Sequence, residues 1–131
     1  MKALDTPVLQ DLLRGRQSAR KAIQAWSEEE LATTELTLFD LEVAARVDPR
    51  PGRERRLAAL DRLRRKVSVL PVDARAVRWA GEARAQYRVR PATALALGIL
   101  ESTGVTDWLV GPPKVSVGRS RSHVRLVQYH R

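Results

Sequence analysis

Cysteine is absent from the 131 residues, which excludes a disulfide framework, a thiolate zinc site and a cysteine nucleophile. Histidine is nearly absent. His123 and His130 lie in a basic tail without carboxylate companions, so neither has the partners that metal binding or acid–base work requires. Aromatic residues make up 5% of the chain. Trp26 and Trp79 fall on helical apolar stripes and read as core or dimer contacts, Trp108 alternates along a strand, and no base-stacking platform emerges. No apolar run approaches the ~18 residues of a membrane-spanning helix. Only Lys2 precedes an interrupted apolar segment at the N-terminus, without a signal-type cleavage pattern, so a cytoplasmic location and no membrane contact are expected. Ser116, Ser120 and Ser122 have no base nearby in sequence and read as turn residues.

Acids are also in short supply: 15 Asp and Glu face 24 Lys and Arg, a net charge of +9. Such a balance favours an anionic partner, because clustered cations release counterions from a phosphate backbone. The excess of Arg over Lys suits bidentate phosphate contacts, and equally fits the coding bias of a GC-rich genome. The chain is 44% hydrophobic, and its length fits a single folded domain over 1–131.

Along that domain, short apolar runs alternate with helical patterns. Ala3 and Leu4 form a short strand that runs into Asp5, with Thr6 as a helix cap and Pro7 at the first helical position. Leu9, Leu12 and Leu13 then recur at helical spacing, and Gly15 stops the helix. Ser18 is read as the cap of a second helix with the stripe Ala19, Ala22, Ile23 and Trp26. Leu31 to Thr34 is a second strand, feeding the helix ELTLFDLEVAARV with Thr34 or Thr37 as cap. The loop from Asp48 to Gly52 separates it from a basic helix whose Leu57, Leu60, Leu63 and Val67 keep one face apolar. Its other face carries Arg53, Arg55, Arg56, Arg62, Arg64, Arg65 and Lys66, a candidate nucleic-acid surface.

Val67 to Val72 is a third strand, and Asp73 caps a helix with Ala76, Val77, Ala80, Ala83 and Tyr87 on its apolar side. The nearly all-apolar helix opening at Pro91 should be the most buried, ended by Gly104. Thr106 to Gly111 is a fourth strand. From residue 114 to 131 the chain holds no acid, and Arg125 alternating with Val124, Leu126 and Val127 predicts a last strand at the sheet edge. Strands alternating with helices imply a three-layer α/β/α domain with a mainly parallel sheet of four to five strands.

Two acids stand out. Asp5 closes a strand and opens a helix, which places it at the carboxyl edge where open α/β sheets bind ligands; the other reading is an acid that satisfies helix N–H groups. Asp40 shares a helix side with Leu36, Val43, Ala44 and Val47. A carboxylate on an apolar face needs a partner: a metal, a cation or the mouth of a cleft.

In the order of its segments the chain resembles the PIN domain family, and within it the VapC-type toxins of toxin–antitoxin pairs. LDTPVLQDLL resembles the family's opening LDTNVL with Pro7 in place of Asn, and TLFDLEVAAR resembles its T-x-x-E-L segment, with Asp40 where Glu is usual. LPVDARAVRWAGEA is similar to the third strand and following helix, and ATALALGILESTGVTDWLVG to the D-A-L-I-A-A-T-A segment through the fourth strand. The resemblance implies a dimeric endoribonuclease that binds Mg²⁺ or Mn²⁺ through clustered acids, here Asp5 and Asp40, and is held by an antitoxin. It also implies two gaps, since the third and fourth acids fall at Thr93 and Pro113. Asp107 belongs to the opposite end of its strand, and Glu42 and Glu101 substitute only if a helix is rotated. Arg88 or Arg90 could place a guanidinium between Asp5 and Asp40 in place of a metal. Two readings therefore stand: a weakened metal-dependent endoribonuclease, or an inactive PIN domain that binds RNA or protein.

Overall fold

Ala3 and Leu4 are adjacent in sequence but belong to different cores, because successive strand residues point to opposite faces of a sheet. The same alternation sends Trp108 and Val110 to one side and Leu109 to the other. Each face must then be covered by helices. The computed structural model describes residues 1–111 and 123–130. Within them the order is β1 (Lys2–Leu4), α1 (Thr6–Leu13), α2 (Gln17–Gln24), β2 (Leu31–Thr34), α3 (Glu35–Val47), α4 (Arg53–Lys66), β3 (Ser68–Leu70), α5 (Ala74–Gln86), α6 (Pro91–Ser102), β4 (Asp107–Val110) and β5 (Arg125–Gln128).

The sheet has five strands in the order β3-β2-β1-β4-β5, and every pairing is parallel. Leu97, Ile99 and Leu100 of α6 with Ala76 and Ala80 of α5 cover one face. Leu9 of α1, Ala19 of α2, Leu38 and Leu41 of α3, and Leu60 and Leu63 of α4 cover the other. The expected three-layer α/β/α architecture is therefore present, and β5 lies at one edge of the sheet. No described helix is long and apolar enough to cross a membrane.

Local signals set most of the boundaries. Thr34 accepts the Thr37 N–H at 3.1 Å and Asp73 accepts that of Ala76 at 2.8 Å, two side-chain caps that start α3 and α5. Gly15 and Gly104 end their helices with positive φ, where a Cβ would be strained. Other details differ from expectation. Asp5, not Thr6, holds the N-cap of α1, which puts Pro7 in the second helical place. Arg16, not Ser18, precedes α2; the Ser18 hydroxyl instead lies 3.0 Å from that of Tyr129, which donates to buried Asp11 at 2.9 Å. β3 is confined to Ser68–Leu70. Val77 is 51% exposed, because the buried side of α5 runs through Ala76, Ala80 and Ala83.

Candidate functional site

The last pleat of β1 delivers Asp5 to the carboxyl edge of the sheet, in extended backbone just before α1. Its N–H donates to the Leu109 carbonyl at 3.0 Å, which ties it to the neighbouring strand. β1 and β4 flank the point where strand order reverses, the crevice in which open α/β sheets place their ligands. Asp5 is only 5% exposed and its side chain makes no capping bond in α1, so helix capping does not account for it.

α3 brings in the second carboxylate. The Thr34 cap fixes its start, and the first turns then present Thr37 and Asp40 toward α1. Thr6 Oγ1 lies 3.1 Å from Thr37 Oγ1 and 3.4 Å from Asp40 Oδ2. A cavity of about 210 Å³ results, lined by Asp5, Thr6, Thr37, Asp40, Thr93 and Trp108 among others. The starts of α1, α3 and α6 all border it, and the partial positive charge of helix N-termini opposes the charge of the two carboxylates. A second cavity, between α1, α3 and α4, is lined largely by Leu13, Leu41, Ala44 and Leu60 and has no pair of acids.

The apolar spacing puts Asp40 on a face with Leu36, Val43, Ala44 and Val47, but the face of α3 that is buried is a different one. Thr37, Leu38, Leu41 and Ala45 are buried, while Asp40 is exposed and Phe39, Val43 and Val47 are 66%, 42% and 70% exposed. Asp40 reaches the cavity from its rim. Thr93 is buried on the same cavity's wall and contributes a hydroxyl where the resemblance implied an acid. Pro113 lies outside the described residues, as does most of the basic segment 114–131. Arg88 and Arg90 are exposed, and the ion pairs among the described residues join neither to Asp5 or Asp40.

The other acids weighed for the site, Glu42, Glu101 and Asp107, are engaged elsewhere. Glu42 pairs with Arg46 and Arg64, and Glu101 accepts the His123 N–H. Asp107 stands at the opposite edge of the sheet, where Lys2 and then Arg125 hydrogen-bond it and hold its carboxyl below the usual carboxylate range against the opposing effect of burial. In the loop before α4, hydrogen bonds from the Arg50 side chain and backbone hold Asp48 well below that range.

On α4, Arg53, Arg55, Arg62, Arg64, Arg65 and Lys66 are exposed. Arg56 departs from the expected solvent-facing set. Its half-buried guanidinium donates to the carbonyls of Ala45, Asp48, Arg50 and Pro51, closing the end of α3. Thr6, Thr37 and Trp108 also line the cavity, although their sequence signals are those of helix caps for the two threonines and of a strand position for the tryptophan. The hydroxyls carried a capping signal, whereas nothing local in sequence connects Trp108 to the ends of β1 and α3.

The donor set bears on a metal. Among the described residues there is no group of three or more His, Cys, Asp or Glu that could hold an ion. Mg²⁺ retains several waters and is commonly bound through one or two carboxylates plus substrate phosphate, rather than in an all-protein cage. Asp5 and Asp40, with threonine hydroxyls to bond its waters, therefore fit a hydrated divalent ion open to substrate and do not fit a closed site.

A family model described as PIN domain matches residues 2–106. Among solved structures, the chain is similar to VapBC2 of Rickettsia felis bound to a promoter DNA fragment, with TM-score 0.80, 11% identity and 98% of each chain covered. It is similar to DNA-bound VapBC of Salmonella typhimurium, with TM-score 0.76, 19% identity and 98% of each chain covered. It also resembles VapC20 of Mycobacterium tuberculosis, a toxin that cleaves the sarcin–ricin loop, with TM-score 0.59, 19% identity, and 82% of this chain and 87% of that one covered. No curated protein matches the chain by sequence.

Proposed function

The chain belongs to the PIN domain family, and from that premise we propose that it is of the VapC type and is a cytoplasmic endoribonuclease with a reduced, two-carboxylate site. The observation that carries this reading is the convergence of Asp5 and Asp40 on one cavity at the reversal point of the sheet. Mg²⁺ or Mn²⁺ bound there would act as a Lewis acid on a phosphodiester and lower the pKa of coordinated water. Asp5, held rigidly by the β1–β4 pairing, supplies a fixed negative charge from the cavity floor. Asp40 supplies a second one at the entrance, oriented by the Thr6 hydroxyl. The exposed cations of α4 raise the local concentration of RNA through screened, salt-sensitive attraction.

The neutral Thr93 favours a second reading, in which the domain binds RNA or a protein partner without cutting. Cleavage of a mixed structured RNA with Mn²⁺ or Mg²⁺, against an EDTA control, separates the two. Metal-dependent cutting is expected, together with RNA binding that weakens steeply as salt rises. Folded protein that binds RNA but leaves it intact would overturn the enzymatic reading.

Two protein partners follow. The solved structures that the chain is similar to include toxin–antitoxin complexes, so an antitoxin is the expected regulator. A second copy of the chain is the other. Phe39, Val43 and Val47 recur every fourth residue on α3 and expose an apolar stripe of a kind that a two-fold axis can pair with itself. Light scattering should show a dimer for the purified chain and a monomer for Phe39→Glu; a monomeric parent protein would remove the dimer from the proposal.

A further inference from the structure

Gly15 turns the chain between α1 and α2 with φ 79, and the residues on either side of it, Arg14 and Arg16, both line one open cleft. The rest of the lining comes from Leu13, from Arg50 and Pro51 in the loop before α4, and from Arg56 in the first turns of that helix. Four guanidinium groups thus border a space of about 530 Å³. The nearby acids do not neutralise them. Asp48 is shared between Arg50, at 2.6 Å, and Arg56, at 4.0 Å. Asp11 is fully buried, accepts the Tyr129 hydroxyl and lies 3.7 Å from Arg16 Nε. Arg14 joins no ion pair among the described residues. The four carbonyls that hold Arg56 fix its orientation and leave its charge intact. Two helices also begin beside the cleft, α2 after Arg16 and α4 after Gly52. Neither start has a side-chain cap, so both dipoles add positive potential.

Resting on the reading of the chain as a protein that acts on RNA, we propose that this cleft is a second RNA site, an anchor for backbone phosphates away from the scissile one. The eight residues of α1 run about 12 Å, from Thr6 at the Asp5–Asp40 cavity to Leu13 at the cleft. A strand held by the arginines is therefore set about one helix length from the carboxylates. Guanidinium groups bond phosphate oxygens in pairs, and their charge displaces counterions from the backbone. The exposed Arg53, Arg55, Arg62 and Arg65 of α4 continue the same sign of charge beyond the cleft, which favours a polyanion. Leu13 and Pro51 are the apolar members of the lining, and it holds no aromatic anchor of the kind that protein partners use. The arginines orient the strand without touching the reacting atoms, so they are positioning residues.

The test is binding of a short single-stranded RNA to the full chain in EDTA, followed by fluorescence anisotropy across a salt series. Arg14→Ala combined with Arg16→Ala should weaken binding on the order of tenfold at ~0.1 M salt and flatten the slope of log K against log salt by about 1.4, as two lost phosphate contacts on a single strand require. Arg14→Lys combined with Arg16→Lys keeps both charges and should keep the parent slope. Arg75→Ala combined with Arg78→Ala removes equal charge from the exposed side of α5, on the other face of the sheet, and should leave the slope unchanged. Equal losses from the two alanine pairs would reduce the effect to net charge and overturn the anchor, as would a parent-like slope after loss of Arg14 and Arg16. Oligoglutamate that binds the parent more tightly than the RNA, and loses that binding in the Arg14 and Arg16 alanine pair, would assign the cleft to an acidic protein segment instead. Failure of the nuclease reading is registered separately, in metal-dependent cleavage, because the titration contains no free metal.

Discussion

Asp5→Asn should reduce metal-dependent RNA cleavage on the order of 10²-fold or more, while the protein stays folded. The magnitude follows from charge. Two carboxylates among the described residues line the cavity, so the substitution removes half of the negative charge they offer a divalent ion. It also removes the buried half, which is less screened by solvent than Asp40 at the rim. The fold should tolerate the change because asparagine has nearly the same shape and the Asp5 side chain does not cap α1. The Asp5 N–H to Leu109 carbonyl bond is a backbone contact and survives any side-chain exchange. Initial cleavage rates at saturating Mn²⁺, with circular dichroism as the control for folding, check the expectation. Undiminished cleavage by a folded variant would move the active site away from this cavity.

Gly98→Ala should destabilise the domain by about 3 kcal/mol, the upper part of the range for overpacking a close contact. A Cβ at position 98 would clash with the Ala76 carbonyl oxygen and meet its carbonyl carbon at 3.1 Å and its Cα at 3.2 Å. All three are main-chain atoms within α5, so they cannot rotate away as a side chain would. The helices must separate, and Ala76, Ala80, Leu97 and Ile99 around the crossing are all buried. α6 also carries Ala92, Thr93 and Ala96 into the candidate site, so the same displacement disturbs the cavity wall. Thermal unfolding should show the midpoint lowered by about 10 °C. Gly81→Ala is the internal contrast. That glycine is exposed on α5 with no atom within 4 Å of the added Cβ, so the change should stabilise by roughly 0.5–1 kcal/mol through helix propensity. If both variants melt together with the parent, the close α5–α6 crossing is wrong.

Capping residues, apolar spacing and turn dipeptides act within a few positions of one another, which is why most elements could be read in order. The span of α3 agrees with the structure to the residue, its cap is made by Thr34, one of the two threonines offered for it, and the cap at Asp73 is made by the side chain expected to make it. Asp5 was legible for the same reason: a strand end followed at once by a helix start leaves its side chain little choice of edge. The sequence by itself therefore determined the succession of strands and helices and the parallel α/β class, and it singled out Asp5 and Asp40 as the candidate carboxylates.

Only the tertiary structure decided the rest. α3 has apolar residues on nearly every side, from Leu36 and Leu38 through Phe39 and Leu41 to Val43 and Val47, so its period was evident but its phase was not. Packing against α1, α4 and the sheet selected Leu38 and Leu41 for burial, which turned Phe39, Val43 and Asp40 outward. The engagement of Arg56 with four carbonyls, the Ser18–Tyr129–Asp11 hydrogen bonds and the placing of Asp5, Asp40 and Trp108 around one cavity join positions well separated in the chain. Such contacts depend on where whole elements come to rest against one another. A pattern that specifies a helix constrains its rise and turn, and leaves its rotation to the neighbours that bury one of its faces.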